Sequence, residues 1–337
     1  VRRFPGSLVD IEYCLPNKVV TNEEFQLTHP EWRIGEVAKR TGVMQRHIAR
    51  VDETAYDLAL VAAKKLLDKH RSLSSKIGAI IFCTQSPDYL MPSNAFLLQR
   101  DLDLPGSILA FDYNLACSGY VYGLLIASSL IKTGIVSDVL LVTADTYSKY
   151  IRDDDRSTRM LFGDGAAASW ISNDNFPGID PLIGLFNDFQ CDSDGHGWDK
   201  FIIRSGGSRE PGPSCDSAES VRDKIFMDGL QVLNLVNDRV IRQILDLLDK
   251  NDLKPHEIHQ FFLHQASELA LNSLRKKLKI DKSFAYSNIE KIGNTVSSSI
   301  PILIKDYFSL TSSPAGSRFL ISGFGVGYSF GSVLVTK

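Results

Sequence analysis

Ser107-Ile108-Leu109-Ala110-Phe111, followed by Cys117-Ser118-Gly119-Tyr120 and on to Ile131, is the stretch on which the fold is read. The first part is apolar and extended in character. The second carries no charge for fifteen residues, which predicts a strand leading into a helix that Cys117 opens. A thiol at that position sits among free amide N–H groups and at the positive end of the helix dipole. Both favour thiolate over thiol, and the thiolate is the strong nucleophile. The small neighbours Ser118 and Gly119 leave room for a substrate beside it.

Outward from this stretch, helical and extended segments alternate, which predicts an α/β fold. Ile77 to Cys83 and Val139 to Thr143 read as buried strands, and Pro92 to Leu102 as a helix beginning at proline. Met227 to Leu248 reads as one long amphipathic helix, with Leu233, Val236, Val240, Ile241, Ile244, Leu247 and Leu248 on one face. His259 to Leu263 is extended and precedes a helix from Ser267 to Leu278. The Gly-, Pro-, Ser- and Asp-rich stretch from Asn187 to Ser220 reads as loop.

The two halves repeat each other weakly. Phe82-Cys83-Thr84-Gln85-Ser86 ends one strand much as Phe262-Leu263-His264-Gln265-Ala266-Ser267 ends another. Ala116-Cys117-Ser118 and Gly293-Asn294-Thr295 each open a helix. Phe162-Gly163-Asp164-Gly165 and Phe324-Gly325-Val326-Gly327 each begin an apolar strand. The shared order predicts a duplicated α/β unit, with halves 1–175 and 176–337. Pseudo-twofold packing would then bring Cys117 and Asn294 together.

The 337 residues suffice for two packed units, and 44% apolar content supplies their core. The 37 basic and 40 acidic residues leave a net charge of −3, which argues against a nucleic-acid partner. Five scattered cysteines (Cys14, Cys83, Cys117, Cys191, Cys215) show no C-x-x-C spacing and suit a reducing compartment. No leader is legible in Val1-Arg2-Arg3-Phe4-Pro5, and the apolar stretch after Cys117 is too short and too rich in Ser and Gly to span a bilayer. A cytoplasmic protein without a membrane partner is expected.

Each candidate residue has a structural reading beside the chemical one. Cys117 could be a small buried hydrophobe, and His264, after Phe261-Phe262-Leu263, a core histidine bonded to a carbonyl. Strand ends are also where α/β proteins place chemistry. Asn294 could cap the helix expected at Thr295. The turn Gly323-Phe324-Gly325-Val326-Gly327 is either a plain turn or one that brings an N–H to a reacting carbonyl. Asp164, between glycines, reads as structural. His196 with Asp192 and Asp194 reads as an acidic loop, and no metal site is expected.

Taken together and in order, these segments resemble the β-ketoacyl-acyl-carrier-protein synthase III family of the thiolase superfamily. The likeness runs through Thr41-Gly42-Val43, Arg46-His47-Ile48, Ala116-Cys117-Ser118-Gly119, Asp155-Arg156 and Phe162-Gly163-Asp164-Gly165-Ala166. It continues in His264-Gln265-Ala266, Gly293-Asn294-Thr295 and the closing glycine-rich turn with Gly331-Ser332. The resemblance implies a duplicated five-layer α/β/α/β/α fold and a homodimer. It implies that Cys117 takes an acyl group from acyl-coenzyme A (CoA), with the backbone N–H groups of Cys117 and Val326 as oxyanion hole. His264 and Asn294 would then hold the enolate formed when a malonyl thioester loses CO₂. The carbanion comes from that decarboxylation, so neither a metal nor a permanently bound cofactor is implied; acyl-CoA and the malonyl thioester are substrates. Trp32, Arg40 and Arg156 stand where the family meets CoA, and Met91 where it reaches across the dimer to limit the acyl pocket.

Neighbouring families part from this pattern. Degradative thiolases need a second cysteine in the last glycine-rich loop, which Gly323 to Gly327 lacks, and elongating synthases have a second histidine where this chain has Asn294. Plant-type polyketide synthases share the Cys-His-Asn set, but His264-Gln265-Ala266 fits synthase III better. The chain also departs from the family at Ser267, Leu269 and Asn234, where an amide and two cations usually serve the pantetheine arm, tunnel and acyl carrier protein. That puts the carrier partner in question and opens a second reading, acyl transfer to a hydroxyl or amine without loss of CO₂. Two readings from other classes stand beside it. One is a papain-like hydrolase, from the order Cys, His, Asn and the 147-residue separation of Cys117 and His264, although the C-G-[SA]-C-[WY] signature is absent. The other is a catalytically silent subunit.

Overall fold

The computed structural model describes residues 4–173, 178–212 and 223–337. The boundary expected at 175, Cys215 and the 213–220 end of the expected loop lie outside these residues. In the first half, β1 (Ser7–Cys14), α1 (Ala55–Lys69), β2 (Ile77–Cys83), α2 (Asn94–Asp101) and β3 (Leu109–Tyr113) lead to α3 (Gly119–Lys132). Then come β4 (Asp138–Asp145) and β5 (Gly165–Ser172). The second half has β6 (Leu185–Ser193), α4 (Gly229–Leu235), α5 (Ile241–Lys250), β7 (Gln260–Leu263) and α6 (Glu268–Leu278). It closes with α7 (Ser299–Leu310), β8 (Arg318–Gly325) and β9 (Ser329–Thr336).

The first sheet has the order β1-β5-β4-β2-β3 and the second β7-β8-β9-β6. Strand senses repeat between them. β2 runs parallel to β4 as β7 does to β8, and β4 antiparallel to β5 as β8 to β9. β5 runs antiparallel to β1 as β9 does to β6. Four strands of the first sheet thus recur in the second in chain order, strand sense and neighbour, while β3 has no counterpart among the described residues of the second. α3 and α7 pack between the sheets and touch both, while α1 and α2 cover the outer face of the first sheet. α5 covers the outer face of the second, and α6 packs on α5, which makes five layers.

The central helices bury apolar side chains on more than one face because they meet both sheets. α3 buries Tyr120, Val121, Leu124, Ala127 and Ile131, and α7 buries the run from Ile300 to Ile304. Each such Leu or Ile contributes about 1.5–3 kcal/mol by leaving water.

Some expected boundaries shift, each for a tertiary reason. The helix expected from Pro92 starts at Asn94, because Asp112 of β3 accepts the N–H groups of Asn94 (2.6 Å) and Ala95 (2.8 Å) and so sets its first turn. Composition predicts loop from Asn187, yet β6 runs on to Ser193 because β9 pairs with it from Leu185 to Ser193. The long helix expected from Met227 begins at Gly229, behind the Asp228 cap, and holds a π-helical turn at Val236–Val240. The helix expected at Thr295 is preceded by a 3₁₀ turn (Val296–Ser298), so α7 begins at Ser299.

Candidate active site

Three chain segments converge where the central helices begin. Cys117 lies in the turn between β3 and α3, two residues ahead of the first helical residue, and is 4% exposed. His264 follows β7 and Asn294 lies in the turn before α7; both are buried. All three line one cavity of about 130 Å³, with Leu161, Phe162, Phe201, Met227, Leu233, Val236, Ser267, Leu269 and Phe324 among its other walls. Among the described residues, no charged side chain lines it.

The Asn294 turn is held by main chain. Asn294 N–H donates to Leu161 O (2.9 Å), and Gly163 N–H donates to Asn294 O (3.0 Å). Gly293 makes this approach possible, since it has φ +69° and a Cβ there would lie 2.9 Å from Leu161 O. Asn294 Oδ1 accepts the Val296 N–H at 2.9 Å, which is the cap expected of an asparagine. That bond fixes the amide orientation. Among the described residues the Nδ2 group has no protein acceptor, and it is left to the cavity.

His264 is anchored by its N–H to Ser322 O (2.8 Å), and its ring lies edge-on to Phe324, with centroids 5.4 Å apart. Nδ1 is 2.6 Å from Ser299 Oγ. Burial lowers the imidazole to about 3, so the ring is neutral at physiological pH.

The glycine-rich turn packs directly on Cys117: a Cβ at Gly325 would lie 3.1 Å from Cys117 N and 3.2 Å from its Cβ. Among the described residues, neither the Cys117 N–H nor the Val326 N–H donates to another residue. The free Cys117 amide is at the thiol itself, while Val326 follows Gly325 in the turn that packs on Cys117 and lines a neighbouring cavity with Gln85, Asn114 and Tyr147.

The thiolate expectation needs correcting. Burial pushes the Cys117 thiol well above its ordinary value, and the Asp145 carboxyl raises it further. A helix terminus supplies at most about 2 kcal/mol, or roughly one and a half pH units, which is too little to reverse this. The resting group is the thiol. Asp145 is itself pushed up to about 7, chiefly by burial, against bonds from Ser297 and Gln85 that favour its charged form.

The remaining expected residues are dispersed. Ser267 caps α6 through the Ala270 N–H and, with the 47%-exposed Leu269, sits at the cavity, whereas Asn234 is exposed on α4 and does not line it. Trp32 is buried with Phe25, Ile34 and Met160 and stacks on His29 at 4.0 Å, away from Cys117. Arg40 and Arg156 are exposed and Met91 is 82% exposed; none of the three lines this cavity. Asp164 is structural, accepting the N–H groups of Ala49 (2.8 Å) and Ser148 (3.0 Å). Asp194 holds the His196 N–H and Arg239. Sequence reading missed Ser299 and the wall residues Phe201 and Met227. The one local signal was the run Ser297-Ser298-Ser299, three hydroxyls buried at the start of an apolar helix.

Residues 111–192 match the 3-oxoacyl-[acyl-carrier-protein (ACP)] synthase III family, and residues 248–337 match its C-terminal part. Over 334 residues the chain is 34% identical to the beta-ketoacyl-[acyl-carrier-protein] synthase III of Campylobacter curvus (strain 525.92), covering 98% of this chain and 96% of the relative. The chain belongs to the synthase III family. A 2.1 Å crystal structure of a 3-oxoacyl-(acyl-carrier-protein) synthase III is 37% identical with TM-score 0.91, covering 99% of this chain and 100% of that one. A 3-oxoacyl-(acyl-carrier protein) synthase from Burkholderia xenovorans LB400 is 33% identical with TM-score 0.89, covering 100% and 95%. The priming β-ketosynthase of the R1128 polyketide pathway, 24% identical with TM-score 0.84 over 99% and 97%, shares the fold. This synthase III is therefore an acyltransferase with the thiolase-like duplicated α/β fold. Family and fold replace the papain-like reading, since the order Cys, His, Asn arises here in two stacked α/β copies.

Proposed function

We propose that Cys117 is acylated by an acyl-CoA and that the acyl group then condenses with a malonyl thioester, with loss of CO₂, to give a β-ketoacyl product. The observation that carries this reading is the single cavity shared by Cys117, His264 and Asn294, with the Cys117 amide unclaimed beside the thiol. In the first half-reaction Cys117 Sγ bonds to the thioester carbonyl carbon. The bond from that carbon to the CoA sulfur breaks, and the thiol proton ends on the CoA sulfur. The N–H groups of Cys117 and Val326 hold the oxyanion.

In the second half-reaction the bond from the malonyl methylene carbon to its carboxylate breaks. CO₂ leaves and the electron pair forms an enolate, whose oxygen takes hydrogen bonds from His264 and Asn294. These donors strengthen as charge develops, which is where binding accelerates a step. The enolate carbon bonds to the acyl carbonyl carbon, the bond from that carbon to Sγ breaks, and the released Cys117 thiolate takes a proton from water. A neutral His264 suits this role, because it donates without needing to carry charge.

Substrate contacts follow the same reading. Arg40 and Arg156 are exposed and available to the phosphates of CoA, while Trp32 is buried and stacked on His29. The uncharged cavity and exposed Leu269 favour a carrier contact less dependent on cations than an acidic acyl carrier protein would make. Malonyl-CoA and malonyl carrier protein are therefore both to be offered.

A homodimer in the cytoplasm fits this account. β3 is an edge strand, and beside it Tyr89 (59%), Leu90 (89%), Met91 (82%) and Phe96 (50%) expose a run of apolar side chains. A second copy seated there would bring Met91 towards the partner's acyl pocket.

Release of CO₂ from malonyl thioesters in the presence of acyl-CoA tests the reaction. Asn294→Ala should leave acylation of Cys117 near native and slow CO₂ release roughly 100-fold, as loss of one oxyanion donor does. An acylated enzyme that passes its acyl group to a hydroxyl or amine without releasing CO₂ would replace condensation with the second reading.

A further inference from the structure

His264 turns one ring nitrogen to Ser299 and leaves the other to the cavity. Ser299 is the first residue of α7, five positions after Asn294, and it is fully buried. Its Oγ lies 2.6 Å from His264 Nδ1. A neutral imidazole has one donor and one acceptor nitrogen, so this contact admits two arrangements. If Nδ1 carried the hydrogen, it would donate to Ser299 Oγ, and the Ser299 hydroxyl hydrogen would have no acceptor among the described residues. Leaving a buried hydroxyl unmet disfavours that arrangement by roughly tenfold or more. If the hydroxyl donates to Nδ1, every group is satisfied and the hydrogen sits on Nε2.

We propose that Ser299 is a positioning residue for the condensation half-reaction, its hydroxyl donating to His264 Nδ1 and holding the imidazole as the Nε2–H tautomer. The assignment rests on the reading of His264 as a donor to the enolate oxygen. It deepens that reading by naming what makes the ring a donor. The same logic operates at Asn294, where the Val296 N–H occupies Oδ1 and leaves Nδ2 to donate. The turn between Asn294 and Ser299 thus orients two side chains so that hydrogens, and not lone pairs, meet the cavity. An Nε2–H ring cannot accept the Cys117 proton at that nitrogen, so Ser299 serves loss of CO₂ and not acyl loading.

The test uses the full chain labelled with ¹⁵N-histidine, the His264 signals being identified by their absence in His264→Asn. The native protein should show Nε2 protonated and Nδ1 unprotonated, and Ser299→Ala should lose that bias. Ser299→Ala should also slow CO₂ release roughly tenfold or more while acyl loading, read by intact mass, stays within about twofold. Ser299→Thr keeps the hydroxyl and should recover most of the rate. An Nδ1–H tautomer in the native protein overturns the assignment, and so does native-rate CO₂ release by Ser299→Ala. The native spectrum decides the tautomer even if Ser299→Ala fails to fold. A native chain that never acylates Cys117 would sink the underlying reaction and leave the tautomer result standing.

Discussion

At Cys117 two effects oppose each other, and their sizes decide the resting state. The helix start favours thiolate by at most about 2 kcal/mol, while burial and Asp145 press the other way and win. Since the folded thiol titrates above its ordinary value, the thiolate fraction rises with pH across the whole neutral range. Alkylation of Cys117 by iodoacetamide, mapped by peptide mass, should therefore increase about tenfold per pH unit from pH 6 to 9. A plateau near pH 7 would mean a thiolate–imidazolium pair, which a His264 lowered to about 3 does not support. Residue type and the expected strand ends and helix starts singled out Cys117, His264 and Asn294, although the structure sets Cys117 and Asn294 in turns ahead of α3 and α7. The bond between Ser299 and His264 joins residues 35 apart in the chain, and the Ser297-Ser298-Ser299 run signals hydroxyls without naming that partner. The thiol's protonation state was illegible for the same reason, since burial is a property of the whole fold.

Among the elements, β1, α1 and α7 are tied by one charge cluster around the buried Asp10. Asp10 of β1 meets Lys69 of α1 at 2.6 Å, the adjoining His70 at 2.7 Å and Lys305 of α7 at 3.0 Å. Burial alone would raise the Asp10 carboxyl, but hydrogen bonds from Lys69, His70 and Lys305 outweigh it and hold it at about 2. A carboxyl lowered on folding stabilises the fold above its unfolded value near 3.8, and that stability is lost as pH falls towards 2. Asp10→Asn should cost about 2 kcal/mol near neutral pH and should flatten the fall in melting temperature between pH 4 and 2. Parallel melting curves for the two proteins would rule the cluster out as a source of acid sensitivity. Strands such as Ile77–Cys83 were legible from composition because they are buried on both faces. The start of α2 was not, because its capping carboxylate, Asp112, comes from the next strand. The polar end of β6 reads as loop until β9 pairs with it.

For the molecule as a whole, the repeat is what brings the site together. The proposed halves, 1–175 and 176–337, each supply a central helix, so the turns carrying Cys117 and Asn294 open onto one cavity. Three short matches in shared order pointed to the repeat from sequence, whereas the apolar edge beside β3 emerged only with the exposures of Tyr89, Leu90 and Met91. Met91→Asp places a charge on that edge and should turn a dimer into a monomer by light scattering, since a buried unpaired charge is strongly unfavourable. An unchanged mass would move the interface elsewhere. The most direct test of the central claim is intact-mass measurement with substrates added in sequence. Acyl-CoA alone should add one acyl mass to the native chain and none to Cys117→Ala. A malonyl thioester added next should discharge that mass with release of one CO₂ per acyl group. No adduct on Cys117, or an adduct that persists without CO₂ release whichever malonyl thioester is offered, would contradict the account.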